Sequence, residues 1–256
     1  MEKMEYVYGV RPVLEALNSD VNLEKVMIDD RKGITNNANE GSVMQELKAR
    51  LKECGVKTQY VPTERLNRIV KGNHQGIVAR ISPISYVELE DVLAKIHSQS
   101  AVPLILILDK VTDVRNFGAM VRTAVAAGAH CVVIPAQNAA AINEDAVKTS
   151  AGGLLKMPIV KADNLKTLIN TLHQEDIMTV CASEKALQTY TSLECCQPLA
   201  IIMGSEDKGV EQNVIRLVQR EVSIPLLGDM ESLNVSVAAG ILLYEVVRQR
   251  MANINR

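Results

Sequence analysis

Residues 104–129 read LILILDKVTDVRNFGAMVRTAVAAGA, which joins an apolar run to a polar turn and then to a segment with helical spacing. A strand that is apolar at every position is buried on both faces, as in parallel sheets. This stretch therefore predicts a strand of a parallel sheet, followed by a helix that covers one face of it.

Further apolar runs, separated by helical stretches, repeat this pattern. They are CVVIP at 131–135, IMTVCAS at 177–183, LAIIMG at 199–204 and VSIPL at 222–226. A last helix is predicted at about 234–251, because Val235, Ala238, Ala239, Leu242 and Val246 form one apolar stripe. The pattern predicts an α/β domain over 104–256, with a parallel sheet covered on both sides.

The first 81 residues have a different pattern. Candidate helices at 9–18, 42–54 and 63–70 alternate with candidate strands at 26–30, 57–61 and 76–81, and the Gly/Asn-rich KGITNNANEG at 32–41 is predicted to be a loop. We expect a compact mixed domain at 1–81 and a linker with one short helix at 82–103. The main domain then occupies 104–256.

The composition is typical of a folded intracellular protein. Hydrophobic residues make up 47% of the chain, yet no apolar run approaches the roughly 20 residues that cross a bilayer. The beginning of the chain lacks a signal pattern, so we expect a cytoplasmic protein with no membrane partner. The five cysteines are not spaced as metal or redox pairs, and no H-E-x-x-H occurs, so no metal site is expected.

The net charge of −2 argues against a protein that coats nucleic acid by charge alone. Residues 1–80 carry 13 Lys and Arg against 11 Asp and Glu, whereas 81–256 carry 15 against 19. The slight positive excess lies in the first domain.

Three segments place polar residues where predicted strands end, which is the edge at which α/β sheets bind ligands. They contribute Asn116 and Arg122, then Gly204 and Glu206, then Ser232 and Asn234. Ordinary structural roles are also open: Asn116 as a helix N-cap, Arg122 as the partner of a surface acid, and Ser232 or Asn234 as the cap of the last helix. A capping residue can still serve a ligand, because helix N-termini receive anionic groups.

The order of these segments is more specific than any one of them. N-F-G-A-M-V-R-T-A at 116–124, I-M-G-S-E-D-K-G at 202–209 and I-P-L-L-G-D-M-E-S-L-N-V-S-V-A at 224–238 resemble the three motifs of the SpoU/TrmH family of RNA 2'-O-ribose methyltransferases. The resemblance covers about 104–250. The front portion, with YVYGVRPVLEAL and GNHQGIVARI, is similar to bacterial members that methylate a guanosine ribose in 23S rRNA.

The resemblance implies the SPOUT fold, an α/β parallel-sheet domain that contains a deep trefoil knot and forms a homodimer. General rules of chain connection would not predict a knot. The resemblance further implies an L30e-like N-terminal domain that recruits RNA. It also implies that the backbone of Gly204, Ile224 and Leu233 binds S-adenosylmethionine, and that the polar active-site positions are Asn116, Arg122, Glu206, Ser232 and Asn234.

Arg122 matches the residue proposed as the base in this family. Deprotonating a guanidinium of pKa about 13 at pH 7 would cost about 8 kcal/mol. We therefore favour Arg122 as the group that orients the ribose and its phosphate and stabilises the developing alkoxide, while its role as a base stays open. A tRNA 2'-O-methyltransferase and a non-catalytic RNA-binding protein are the alternatives.

Overall fold

The computed structural model describes residues 6–19, 21–33 and 42–254, and the chain divides into two compact units, 1–85 and 86–256. Most of the predicted loop at 32–41 lies outside the described residues. The elements of the first unit are β1 (Tyr6–Tyr8), α1 (Val10–Leu17), β2 (Leu23–Asp29), α2 (Asp30–Gly33), α3 (Ser42–Glu53), β3 (Lys57–Val61), α4 (Thr63–Ile69) and β4 (Ile77–Ile81).

The first unit has a four-stranded sheet in the order β1-β4-β2-β3, in which only β2 and β3 are parallel. Because side chains alternate along a strand, β2 sends Val26 to one face and Met27 to the other. Val26 packs in a core with α1 and α3, and Met27 packs with Leu66 of α4. Helices thus lie on both faces of this sheet.

The second unit contains the predicted α/β domain. Its elements are β5 (Tyr86–Val87), α5 (Leu89–Ser98), β6 (Leu104–Leu108), α6 (Val114–Ala126), β7 (Cys131–Pro135), α7 (Glu144–Thr149), β8 (Ile159–Ala162), α8 (Leu165–Gln174), β9 (Met178–Ala182), β10 (Leu199–Met203), α9 (Gln212–Ile215), β11 (Arg220–Val222) and α10 (Val235–Ile254). The seven strands pair in parallel in the order β11-β9-β10-β6-β7-β8-β5. The predicted fully apolar strands β6 and β10 are neighbours at its centre and are buried along their whole length.

Two boundaries differ from the sequence prediction. The segment 82–103 is not simply a linker, because β5 pairs with β8 and α5 buries Leu89, Val92 and Ile96 in the core of the second unit. The strand predicted at 222–226 is β11, which ends at Val222. Pro225 lacks the N–H that would continue a strand ladder, and the chain leaves the sheet there.

The last helix is held at its far end by Arg250. This guanidinium donates to four backbone carbonyl oxygens, those of Val102, Pro103, Cys195 and Gln197, at 2.8–3.0 Å. These carbonyls precede β6 and β10, so Arg250 fastens α10 to the amino edge of the sheet. The first turn of α10 therefore lies at the opposite, carboxyl edge of the sheet.

Candidate active site

Gly204 follows the end of β10 and lies against a tight turn. The turn is closed by two backbone hydrogen bonds between Ser205 and Gly209, at 3.0 and 2.8 Å. A Cβ atom on Gly204 would overlap backbone atoms of Gly209 and Val210. Only glycine therefore fits here without displacing the turn.

A cavity of about 350 Å³ opens beside this turn. Its walls come from the ends of β9 and β10, the turn itself, the segment after β11 and the first residues of α10. Of the residues predicted from sequence, the cavity is lined by Gly204, Glu206, Ile224, Ser232 and Leu233. All three predicted cofactor positions thus lie on one cavity, whose volume is within the usual range for small-molecule sites.

Three predicted active-site residues meet in a hydrogen-bonded group, which we call the Asn-Glu-Asn cluster (Asn116, Glu206, Asn234). Asn116 Nδ2 donates to Glu206 Oε2 at 3.1 Å, and Asn234 Nδ2 donates to Glu206 Oε1 at 3.0 Å. Asn234 Nδ2 also donates to Asn116 Oδ1 at 3.0 Å. One residue from each of the three polar segments is therefore brought together.

The capping interpretation applies to one asparagine and not to the other. The N-cap of α6 is Asp113, whose carboxylate accepts the backbone N–H of Asn116 at 2.7 Å, so the side chain of Asn116 is not needed for capping. Asn234 does cap α10, because its Oδ1 accepts the backbone N–H of Ser236 at 2.9 Å. The two protons on Nδ2 remain available to the cluster, so Asn234 both caps α10 and donates within the cluster.

Arg122 and Ser232 are not members of the cluster. Arg122 is exposed on α6, and among the described residues no hydrogen bond or ion pair engages its guanidinium. The interpretation that it pairs with a surface acid therefore fails for the described part of the chain. Ser232 is exposed on the cavity wall.

Comparisons with known proteins identify the family of the chain. The family described as SpoU rRNA Methylase matches residues 103–244, and the family described as RNA 2'-O ribose methyltransferase substrate binding matches residues 6–87. The chain belongs to the SpoU methylase family.

Relatives in this family match along nearly the whole chain. The 23S rRNA (guanosine-2'-O-)-methyltransferases RlmB of Yersinia pestis and Haemophilus influenzae are each 34% identical over 252 residues. The first match covers 96% of this chain and 98% of the relative, and the second 97% and 99%.

Solved structures share the fold. A crystal structure of an RNA 2'-O ribose methyltransferase has a TM-score of 0.55 and 25% identity, covering 96% of this chain and 88% of that one. The SpoU methyltransferase AviRb from Streptomyces viridochromogenes, solved with the cofactor AdoMet, has a TM-score of 0.60 and 23% identity, covering 96% and 90%.

In this SpoU chain a buried carboxylate anchors the loop that carries Glu206. Asp109, at the end of β6, is 1% exposed, and its Oδ2 accepts the backbone N–H of Glu211 at 2.8 Å. Burial raises the pKa of Asp109, with the N–H of Glu211 acting in the opposite direction. Lys110 forms an ion pair with the Glu211 side chain, which lowers the pKa of that carboxyl. The turn is thus tied to β6 at two points.

Sequence reasoning missed one wall of the cavity, formed by Ser183, Glu184 and Lys185. These residues follow β9, whose neighbour in the sheet is β10, so their side chains reach the same edge. The sequence did indicate a further polar strand end, because the predicted strand at 177–183 is followed there by polar residues. Knowing that β9 and β10 are adjacent was needed to use it.

Neither a metal site nor a membrane span is found within the described residues. No group of three or more His, Cys, Asp or Glu residues is placed to hold a metal ion. Likewise, within the described ranges, none of the helices combines the length and the apolar character needed to cross a bilayer.

Proposed function

We propose that this chain transfers a methyl group from S-adenosylmethionine to a ribose 2'-hydroxyl of RNA, on a guanosine of 23S rRNA. The observation that carries the proposal is the Asn-Glu-Asn cluster, which is assembled from three distant segments and includes Glu206 of the Gly204 cavity wall. Family membership gives the reaction, and the cluster supplies the polar groups that the reaction needs.

The residues of the cavity fit the cofactor. The absence of a side chain at Gly204 lets the Ser205–Gly209 turn pack against the end of β10 and so shapes this wall of the cavity. Ile224, Leu226 and Leu233 offer apolar contacts to the adenine ring. Glu184 and Lys185 on the same wall carry charges that can pair with the ammonium and carboxylate of a bound amino acid group. When bound, S-adenosylmethionine supplies a methyl group already activated by the sulfonium.

The chain's own residues have to align the 2'-hydroxyl and stabilise the charge that develops on it. Arg122 is suited to this because its guanidinium is exposed and is not engaged by any described residue, so its planar set of donors is available to the ribose and phosphate. Glu206 is held by both asparagines and can orient a hydroxyl. Ser232 adds a further hydroxyl on the cavity wall.

The substrate assignment rests on the relatives. Proteins named for 23S rRNA guanosine methylation match nearly the whole length of this chain, including its first unit. A tRNA 2'-O-methyltransferase is the nearest alternative, and a non-catalytic RNA-binding protein is the other. A cytoplasmic location is proposed together with this substrate, because the named relatives act on ribosomal RNA.

We assign recruitment of RNA to the first unit and give it an L30e-like fold. The match of residues 6–87 to a substrate-binding family supports the recruiting role. The mixed four-stranded sheet with helices on both faces supports the fold. The domain boundary proposed from sequence at residue 81 moves to Ser85, since β5 belongs to the second sheet.

The knot is proposed at the crossing after β11. This strand lies at the edge of the sheet beyond β9, whereas α10 packs against α6 and β10. Residues 224–233 must therefore travel back past the ends of β9 and β10, beside the turn at Gly204. A chain threaded through a loop at this crossing would enclose the cavity.

A homodimer is supported by an exposed apolar stripe on α10. Val237, Tyr244 and Met251 are spaced seven residues apart and are 50%, 51% and 59% exposed. Two full turns separate successive members, so all three lie on one face of the helix. Covering this stripe with the same stripe of a second copy would remove it from water.

The function is tested by measuring transfer of tritiated methyl groups from S-adenosylmethionine to unmodified 23S rRNA and to tRNA, followed by mapping of the product. We expect transfer to a guanosine 2'-oxygen in 23S rRNA only. Transfer to tRNA alone would establish the nearest alternative. Cofactor binding with no transfer to either RNA would establish the non-catalytic one.

A further inference from the structure

A row of cross-strand neighbours spans the whole sheet of the first unit. Tyr6 of β1 pairs with Arg80 of β4, Arg80 with Lys25 of β2, and Lys25 with Lys57 of β3. We call these four residues the basic row. Adjacent strands are about 4.8 Å apart, so the Cα atoms of its three cationic residues, Arg80, Lys25 and Lys57, span roughly 10 Å.

The basic row lies on the face of the sheet that carries α4. Met27 and Val78, two positions from Lys25 and Arg80 along their strands, are on that face because they pack with Leu66 of α4. A bulge sets Glu24 beside Lys25 opposite Arg80, and Glu24 forms an ion pair with Arg80 at 3.3 Å. Among the described residues, this carboxylate offsets part of the charge of Arg80, while Lys25 and Lys57 still repel each other.

Helix α4 adds a fourth cation to this face. Arg65 is exposed and lies close enough to Lys25 to repel it. Burial lowers the pKa of the Lys25 ammonium, and repulsion from Lys57, Arg65 and Arg80 lowers it further. Like charges held together in this way are stabilised when an anion binds between them.

The geometry points to the basic row, together with Arg65, as a docking site for the phosphodiester backbone of RNA. A line of cations matches a chain of regularly spaced phosphates better than it matches one isolated anion. Tyr8, 39% exposed on the same edge strand as Tyr6, adds an aromatic group against which an unpaired base can stack. The inference deepens the proposed function, on which it rests, by naming the surface that receives the substrate.

The test uses the full chain and filter binding to unmodified 23S rRNA over a series of KCl concentrations. The variant is Lys57→Gln combined with Arg65→Gln, both exposed positions that can lose charge without opening the core. The matched control is Arg11→Gln combined with Lys52→Gln, which removes two exposed cations from α1 and α3 on the other face of the sheet. Both variants are checked for unchanged binding of S-adenosylhomocysteine.

Loss of two phosphate contacts is expected to weaken RNA binding about tenfold. It should also reduce the slope of log affinity against log salt by about 1.5, whereas the control keeps the wild-type values. Equal weakening in both variants would mean a general charge effect and would overturn the proposal, as would unchanged affinity in the first. Methyl transfer by the wild type is measured in a separate assay. A failure of the proposed activity would therefore not change the outcome of the RNA-binding test.

Discussion

Asn234 Nδ2 lies 3.0 Å from Asn116 Oδ1, although the two residues are 118 positions apart in sequence. Asn116 is in the first turn of α6, and Asn234 caps α10. Helices α6 and α10 pack against each other, which brings their first turns together at the carboxyl edge of the sheet. Glu206 is then held between two amides in a fixed orientation.

Arg122→Ala should abolish most methyl transfer while leaving folding and cofactor binding intact, because the exposed guanidinium serves the RNA and not the core. Arg122→Lys should also lose most activity, since lysine keeps the charge but not the planar pair of donors. Transfer of tritiated methyl at saturating rRNA measures both. Lys95→Ala on α5, another exposed cation, is the control and should be fully active. Recovery of Arg122→Lys activity at high pH would instead support a base at this position.

Gly204→Ala should destabilise the chain by about 1–3 kcal/mol and abolish cofactor binding, because the new methyl group would displace the turn at Gly209. Thermal unfolding and calorimetry with S-adenosylhomocysteine measure the two effects. Gly228→Ala is the control, since a Cβ there meets no atom within 4 Å. Normal binding by Gly204→Ala would place the cofactor elsewhere.

Asp109 should make the stability of the folded chain depend on pH. Burial raises the pKa of its carboxyl above the ordinary value of 3.8, so the folded state keeps a proton that the unfolded state has released. The contribution of Asp109 to stability is therefore fully present below that value and is lost as pH rises through the folded pKa.

Asp109→Asn keeps an oxygen that can accept the N–H of Glu211 but cannot ionise. The unfolding free energy of this variant, relative to the wild type, is expected to rise with pH, as measured by urea unfolding from pH 4 to 7 at about one-unit steps. Asp109→Ala leaves that N–H without its partner and should cost about 1–3 kcal/mol throughout. A difference between Asn and wild type that stays constant with pH would contradict the argument.

A fragment of residues 86–256 should fold and bind S-adenosylhomocysteine, whereas one of residues 95–256 should be clearly less stable. The shorter fragment lacks β5 and the core residues Leu89, Val92 and Leu93 of α5. Removing several buried aliphatic side chains costs about 2–5 kcal/mol for each. Circular dichroism melts and calorimetry of both fragments measure this. Equal stability would contradict a structural role for 86–94 and would favour the linker that sequence analysis expected at 82–103.

The local patterns of the chain were sufficient for much of the fold. Strands β6, β7, β9 and β10 and helices α6 and α10 lie where the apolar runs and helical stripes predicted them. Burial on both faces leaves a signal in each segment separately, so no knowledge of its neighbours is needed. The two-residue strand β5 is too short to leave such a signal.

The sequence by itself therefore determined the helices and strands and the residues at the ends of the strands, such as Gly204 and the polar Glu206. Only the tertiary structure decided that Asn116 is free of capping while Asn234 is not, and that the residues after β9 complete the cavity. It also decided that Lys25, Lys57 and Arg80 form one row. The physical reason is that strand order and register place distant segments side by side, and neither is encoded in the periodicity of any single segment.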